Sequence, residues 1–310
     1  MRAIGMMIAA AALAAPVLAE EAWYPSKYGA EDTKGAMNNL SPEVTVKAAK
    51  LVKTGKVYAL GVVTGPDTPS WPGRAYGVTV LQTTDGAGAP IGASQATGHD
   101  DVLMTYVGIG TQIDGFGHLG IGHRYYNGVS SRDFYANDGV KKFGTENIPP
   151  AATRGVLLDM TKHYKAAHLK PGTAFNRAEI DAAARAARVT IGKGDVVLFH
   201  TGWMAAMKGD PKQFISVQPG LGKEGAEYLA SLGVVMVGAD TAALEAIPFE
   251  KPDMPFVVHQ TLLAKNGVHV LENIDTNALA ADGATEFLFV LGAPRFKGTV
   301  QMVINPVAIR

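Results

Sequence analysis

The sequence predicts an α/β fold, a mixed β-sheet with flanking helices, on three observations. Short apolar runs rich in Val, Ile and Phe alternate with helix-patterned segments over residues 155–304. Several of those segments carry identifiable caps, such as Asn176 before a helix and Gly233 after one. No internal repeat or low-complexity linker interrupts the alternation.

The elements follow in chain order. Ser41 can cap a helix with Pro42 at its first position and Gly55 as its C-terminal cap. Residues 56–63 are strand-like. Residues 65–98 are rich in Gly, Pro, Thr and Ser, broken only by a β-like run at 76–81, and a loop-dominated stretch of that length is usually functional or mobile. TYVGIG (105–110) reads as a strand ending in glycines. Strands are then expected at 155–160, 195–200, 234–238, 268–272, 286–291 and 299–304, with helices at 177–188, 223–232 and 259–265. The irregular N-terminal third argues against a purely doubly wound topology. Neither GxGxxG after a strand nor a Walker A pattern occurs, so no nucleotide cofactor is expected.

Residues 1–19 are set apart from the fold. Arg2 gives a positive start, residues 4–15 are apolar and uncharged, Pro16 breaks the run, and Val17-Leu18-Ala19 supplies small residues at a cleavage site. That is a secretory signal pattern, too short for a good membrane span. The expectation is an exported, periplasmic or secreted protein cleaved after Ala19, with 20–310 as one domain and no membrane association afterwards. The full chain carries 28 basic and 28 acidic side chains, and losing Arg2 shifts the balance by one. Such neutrality gives no electrostatic reason to expect a nucleic-acid partner. The chain has no cysteine, which excludes disulfides, a thiolate nucleophile and cysteine-ligated metal.

Two clusters carry chemistry. In GTQIDGFGHLGIGH (110–123), Gln112 and Asp114 are two apart and share a side if extended, so their oxygens can meet at one point. Gly115 and Gly117 can turn the backbone and bring His118 back to that point. Oxygen and imidazole donors suit Zn²⁺, Mn²⁺ or Fe²⁺ better than Ca²⁺. Equally, Asp114 can cap a turn and His118 can pack under a loop. The second cluster is HQTLLAKNGVHVLENID (259–275). A helix from His259 followed by a strand ending at Glu272 can return the chain to its start, so the two side chains can share a site. The plainer alternatives are a helix-terminal histidine and an exposed strand-end charge. His269 reads as an ordinary strand residue.

Taken in order, these clusters resemble the cyclase family of metal-dependent hydrolases, which includes bacterial kynurenine formamidase and isatin hydrolase. The family signature is His-x-x-x-His-x-Asp-x-x-x-His, here Gly108 to His118, usually with Gly-Thr before its second histidine. The resemblance continues through RGVLLDM (154–160), GDVVLFHTGW (194–203), VVMVGADT (234–241), the His259/Glu272 segment and NPVAI (305–309), and YGAEDTKGAMNNLSPE (28–43) is similar to a long-chain branch. It implies a cyclase-like swivelling β/β/α domain, a homo-oligomer, and a hydrolase of a small amide, N-formyl compound, lactam or lactone. Asp114, His259 and Glu272 would be metal ligands and His118 the proton-transfer residue. Two signature histidines are replaced, by Gly108 and Gln112. Gly108 offers no side-chain ligand, and Gln112 offers only a neutral amide oxygen, so the pattern favours one divalent ion per subunit, Mn²⁺ ahead of Zn²⁺. Aryl-formamide hydrolysis, and with it tryptophan catabolism, is the family activity to test first. A non-catalytic periplasmic small-molecule binding protein and a metal-dependent lyase or dehydratase remain the alternatives.

Further candidates have two readings each. His99, with Asp100 and Asp101, lines the pocket or sits in a solvated turn; His123 assists proton transfer or lies on the surface. His200 belongs to a site at a strand end or to the core. Asp240 supports His259 or caps a turn. Trp71, Tyr76, Phe116, Tyr125 and Tyr126 form an aromatic wall or simply pack.

Overall fold

The structure is a computed structural model that describes residues 23–82 and 88–310; the expected signal segment lies outside the described residues. Thirteen strands are described: β1 Val57–Ala59, β2 Tyr76–Gln82, β3 His99–Thr105, β4 Gln112–Asp114, β5 Ala151–Asp159, β6 Ala174–Phe175, β7 Val196–His200, β8 Gly220–Leu221, β9 Met236–Ala239, β10 His269–Glu272, β11 Glu286–Leu291, β12 Gln301–Val303 and β13 Val307–Ile309. Nine form one mixed sheet in the order β1-β13-β11-β5-β7-β9-β10-β4-β12. Its centre, β5-β7-β9-β10, is parallel, and the pairings on either side are antiparallel. The predicted α/β class with flanking helices is what the chain adopts.

The parallel centre explains the apolar runs. Val196, Val197, Leu198 and Phe199 of β7 are all inaccessible to solvent. Both faces of such a strand are covered, which selects continuous hydrophobicity over alternation. β11 instead alternates buried and half-buried residues, with Phe287 and Phe289 facing the core. Helix Arg177–Ala187 begins with the expected cap at Asn176, completed by Glu179, whose carboxylate accepts from the Asn176 N–H. Helix Lys223–Ser231 ends before Gly233, which takes φ +79°.

Two expectations need correcting. Helix Pro42–Ala49, capped by Ser41 as predicted, ends well before Gly55. Thr54 and Gly55 instead donate to the Arg310 carbonyl, a tertiary contact that takes the chain out of the helix. The segment at 105–110 is not a strand: β3 ends at Thr105, and a turn through Gly110, φ +74°, leads into β4. β2 and β3 pair as a separate ribbon with large apolar side chains open to solvent, among them Val80 and Met104. Among the described residues, no helix is long and apolar enough to cross a membrane.

Gly238 shows how tightly β9 seats its neighbour β10. A Cβ there would lie 2.8 Å from Cβ of Leu271 and 3.1 Å from Cδ2 of Leu198. Neither strand can yield without shifting its partner. Gly238→Ala is therefore expected to destabilise the fold by about 1–3 kcal/mol, read as a lower urea midpoint at unchanged slope.

Candidate metal centre

β10 lies between β9 and β4, where the parallel centre meets an antiparallel pair. In this register Gln112 faces Glu272 across the strands, and Asp114 of β4 faces Gln301 of β12. The two-residue spacing on β4 puts Gln112 and Asp114 on one side of the sheet. His259 arrives from the segment before β10, a turn of helix at Val257–His259 that continues as a π-helix over Gln260–Lys265. The wider π-turn is often found beside functional sites. The reversal after it brings Glu272 back to His259.

Here the geometry is close. Nε2 of His259 stands 3.1 Å from Oε1 of Glu272 and 3.5 Å from Oδ2 of Asp114. Ligand atoms of Asp114, His259 and Glu272 all fall within 4.8 Å of one another. The amide Nε2 of Gln112 donates to Oε2 of Glu272 at 2.6 Å and contacts Oδ1 of Asp114 at 3.4 Å. All four residues are buried. Two buried oxygens, Oδ2 of Asp114 and Oε1 of Gln112, have no hydrogen-bond partner. Unpaired buried acceptors are costly, and a cation would satisfy them. The donor set thus fits a divalent ion, with Asp114, His259 and Glu272 as the holding residues and the Gln112 amide against them through its nitrogen.

Glu245 was not anticipated, and it orients the imidazole. Its Oε1 accepts from Nδ1 of His259 at 2.6 Å and from the His259 backbone N–H at 3.2 Å. A carboxylate on Nδ1 fixes the ring so that Nε2 faces the cluster. Gln301, also missed, donates to Oδ1 of Asp114 at 2.8 Å. No local pattern singled out Glu245 in its loop. For Gln301 a signal existed, a polar residue inside a strand-like run, but only the pairing with β4 gives it meaning.

The remaining candidates separate. His118 is half-buried, follows a turn in which its N–H donates to the Gly115 carbonyl, and has its ring 6.5 Å from that of His259. Gly115 and Gly117 are small because Val300 packs on them: a Cβ at either would come within 3.1 Å of it. Asp240 does not support His259. It accepts from the N–H and hydroxyl of Thr201 at 2.8 and 2.6 Å, while Nδ1 of His200 bonds Thr276 at 2.8 Å. His99 stands on the exposed ribbon and His123 on an exposed turn with φ +63°; among the described residues neither joins the cluster. Of the aromatic candidates, Phe116, Tyr126 and Trp71 follow the packing alternative. Phe116 and Tyr126 belong to the main core and Trp71 packs against a smaller one around Trp203. His269 stacks on Phe116, and burial pushes its imidazole down to about 4.

The cluster's electrostatics follow from its crowding. Burial, then the charge of Asp114, raises Glu272 to about 7. Burial opposes charge on His259, but the carboxylates of Asp114, Glu245 and Glu272 around its two ring nitrogens outweigh it and hold the imidazole well above its ordinary value. Burial likewise opposes ionisation of Asp114, yet His118, His259 and Gln301 keep it below the usual carboxylate range. His118 is lowered by burial and by the positive charges of His259 and Arg74, against the pull of Asp114. An apolar cleft of about 740 Å³, with Val62, Met204, Met207 and Phe214 in its lining, reaches Gly110 and Asn273, the chain neighbours of this cluster.

The chain matches the cyclase family model, described as "Putative cyclase", over residues 58–246. Among solved structures it is similar to a novel cyclase at 27% identity and a TM-score of 0.82, covering 92% of this chain and 98% of that one. It also shares its fold with an isatin hydrolase bound to the product analogue thioisatinate (19% identity, TM-score 0.62, covering 87% and 98%). Isatin hydrolase A from Ralstonia solanacearum is a further likeness of fold, at 17% identity and TM-score 0.62, covering 82% and 92%. No curated protein sequence matches.

Two tests follow from the geometry. Metal ligation needs Glu272 ionised and a free His259 Nε2, so binding must expel protons. Because Glu272 is raised to about 7 and His259 also holds its proton there, affinity for Mn²⁺ is expected to rise with pH by roughly a hundredfold per unit below that value and roughly tenfold per unit just above it. Calorimetry in buffers of different ionisation enthalpy should count at least one proton released per ion; none released would contradict the ligand set. Glu245→Gln keeps the shape but weakens the orienting bond, and should cost about 10–100-fold in metal affinity.

Proposed function

The chain belongs to the cyclase family, and from that premise we propose that it is a metal-dependent hydrolase of a small amide, N-formyl compound, lactam or lactone. The observation that carries this reading is the convergence of Asp114, His259 and Glu272 around unpartnered buried oxygens. A divalent ion in such a donor set supplies a Lewis acid for a carbonyl and lowers the pKa of a water. The likeness to isatin hydrolase supports a cyclic amide as a substrate class, and an aryl formamide is the other first choice. The apolar cleft beside Gly110 and Asn273 supports a substrate with an apolar body.

Each residue has a task within that chemistry. Asp114 and Glu272 face the cluster as carboxylates, braced by the amides of Gln301 and Gln112. Glu245 holds the tautomer and angle of His259. His118 stands apart from that ring with its proton affinity lowered, so it is a neutral imidazole near pH 7. In that state it can take a proton from the attacking water and return it to the leaving nitrogen or oxygen.

The ion is proposed as one per subunit, Mn²⁺ before Zn²⁺, because Gln112 offers an amide oxygen and Gly108 nothing. A homo-oligomer is proposed as well: a two-stranded ribbon with exposed Val80, Leu103 and Met104 has marginal stability unless something covers it. Export is proposed from residues 1–19 alone. One observation favours the non-catalytic reading: the Gln112 amide closes on Glu272 at 2.6 Å, satisfying an oxygen that an ion would otherwise take.

Metal analysis with paired variants decides between these. His118→Ala should keep its metal and lose about 10²–10⁴-fold in kcat on lactones and formamides. Asp114→Ala should lose both metal and turnover. A wild-type protein that binds no Mn, Zn or Fe and turns over none of these substrates would overturn the enzyme reading.

A further inference from the structure

Gly108 stands where the family pattern has its first histidine, and two side chains from distant parts of the sequence take up that space. A Cβ at Gly108 would lie 2.8 Å from Nη1 of Arg74 and 2.7 Å from Oε1 of Gln301. Nη1 of Arg74 donates to the Gly108 carbonyl, and Nε2 of the same Gln301 donates to Oδ1 of Asp114 at 2.8 Å. Arg74 is thus separated from the carboxylate cluster by one amide. It is half-buried, and among the described residues no carboxylate pairs with it.

A guanidinium in this position has uncommon consequences. It carries five N–H donors in a plane, of which the Gly108 carbonyl takes one. Its charge is permanent, and its fork matches the two oxygens of a carboxylate. Of the other charged groups at the cluster, Asp114, Glu245 and Glu272 are acidic and repel an anionic ligand, and the imidazolium of His259 is enclosed by those three carboxylates and must give up its Nε2 proton to a bound ion. Burial is the largest influence on both His118 and Glu272, and the Arg74 charge acts on both as well, pushing each down. An anion entering the site therefore meets one fixed cation of this chain, held by backbone at the position the missing histidine vacates.

We propose that Arg74 is a specificity-determining residue that binds a free carboxylate on the substrate, so that the preferred substrates are acyl or cyclic amides and esters carrying an acid group. The assignment rests on the hydrolase reading for the reaction, but the carboxylate subsite exists whether or not turnover occurs. Arg74 holds and orients the acid; proton transfer stays with His118. Replacement of the signature histidine by glycine is then what makes room for this receptor.

The test compares formanilide with 2-formamidobenzoate, which differ by one carboxylate, and titrates benzoate directly by calorimetry into Mn²⁺-loaded protein. A hydrogen-bonded charge contact contributes about 1.5–3 kcal/mol, or roughly 10–100-fold. Arg74→Met should weaken benzoate binding by that factor. Its loss of kcat/KM should be at least tenfold greater on 2-formamidobenzoate than on formanilide, and should fall mainly on KM. Arg74→Lys, which keeps the charge but not the fork, should recover part of the benzoate affinity. Equal losses on both substrates, or benzoate binding untouched by Arg74→Met, would overturn the proposal. If the wild type hydrolyses neither compound, the hydrolase reading fails, and the benzoate titration alone decides on Arg74.

Discussion

Three carboxylates buried against one imidazole set the terms for the rest of this structure. Asp114, Glu245 and Glu272 are each at most 5% exposed, and all three lie within reach of His259. Removing an ion from water costs several kcal/mol even after relaxation, so such a cluster persists only if donors surround it. The chain provides them from every side. Gln301 reaches Asp114 from the edge strand β12, Gln112 reaches Glu272 along the β4–β10 pairing, and the helical turn Val257–His259 gives Glu245 the His259 backbone N–H besides the ring. These donors do not balance the charge. Burial and then the surplus charge show in Glu272, raised to about 7, and the surplus shows again in an imidazole held well above its ordinary value. A carboxylate cluster of this kind is stabilised by a cation bound to it.

The same balance gives meaning to the two replaced signature positions. Gln112 and Gly108 add no charge, so a single divalent ion among three ionised carboxylates would leave one negative charge over. Arg74 supplies the compensating cation close by without being a ligand. Gln301 couples the two halves, since its amide nitrogen serves Asp114 and its amide oxygen shares the space before Gly108 with the guanidinium. Glycine at 108 is therefore tied to Arg74 and Gln301 by packing. Restoring a side chain there would have to displace the ends of both.

How much of this was legible depends on whether the signal was local. The strands of the parallel centre could be read because burial on two faces forces unbroken apolar runs, as in Val196–His200. The pairing of Gln112 with Asp114, and the return of Glu272 to His259, followed from strand alternation and a helix-then-strand reversal. What escaped depended on distant partners. Nothing near Thr54 announces that its N–H goes to Arg310, and so the local pattern carries the first helix too far. TYVGIG has strand composition, yet the ribbon ends at Thr105 and a glycine turn starts the next strand. Asp240 lies beside a strand end, as a site residue would, but Thr201 takes its oxygen and Glu245 takes the place at His259. A carboxylate's partner is a tertiary fact, and neither residue's neighbours in sequence distinguish them.

The two histidines of the centre show how one fold can assign opposite tasks to the same side chain. Their rings lie 6.5 Å apart, and burial disfavours the charged form of both. What differs is the company. His259 is wrapped by Asp114, Glu245 and Glu272, which overcome burial and keep its proton affinity high. His118 has only Asp114 on its favourable side, while His259 and Arg74 act against it, so its affinity falls. Groups whose environments drive them apart are the ones that divide acid–base work. His259, fixed on both nitrogens, is suited to hold an ion and unsuited to pass a proton on. His118, neutral and outside the carboxylate ring, is free to do so. Burial does most to lower His118, and the permanent charge of Arg74 adds to it in the same direction, so the cation proposed to receive an acid group also favours the neutral form of the proposed base.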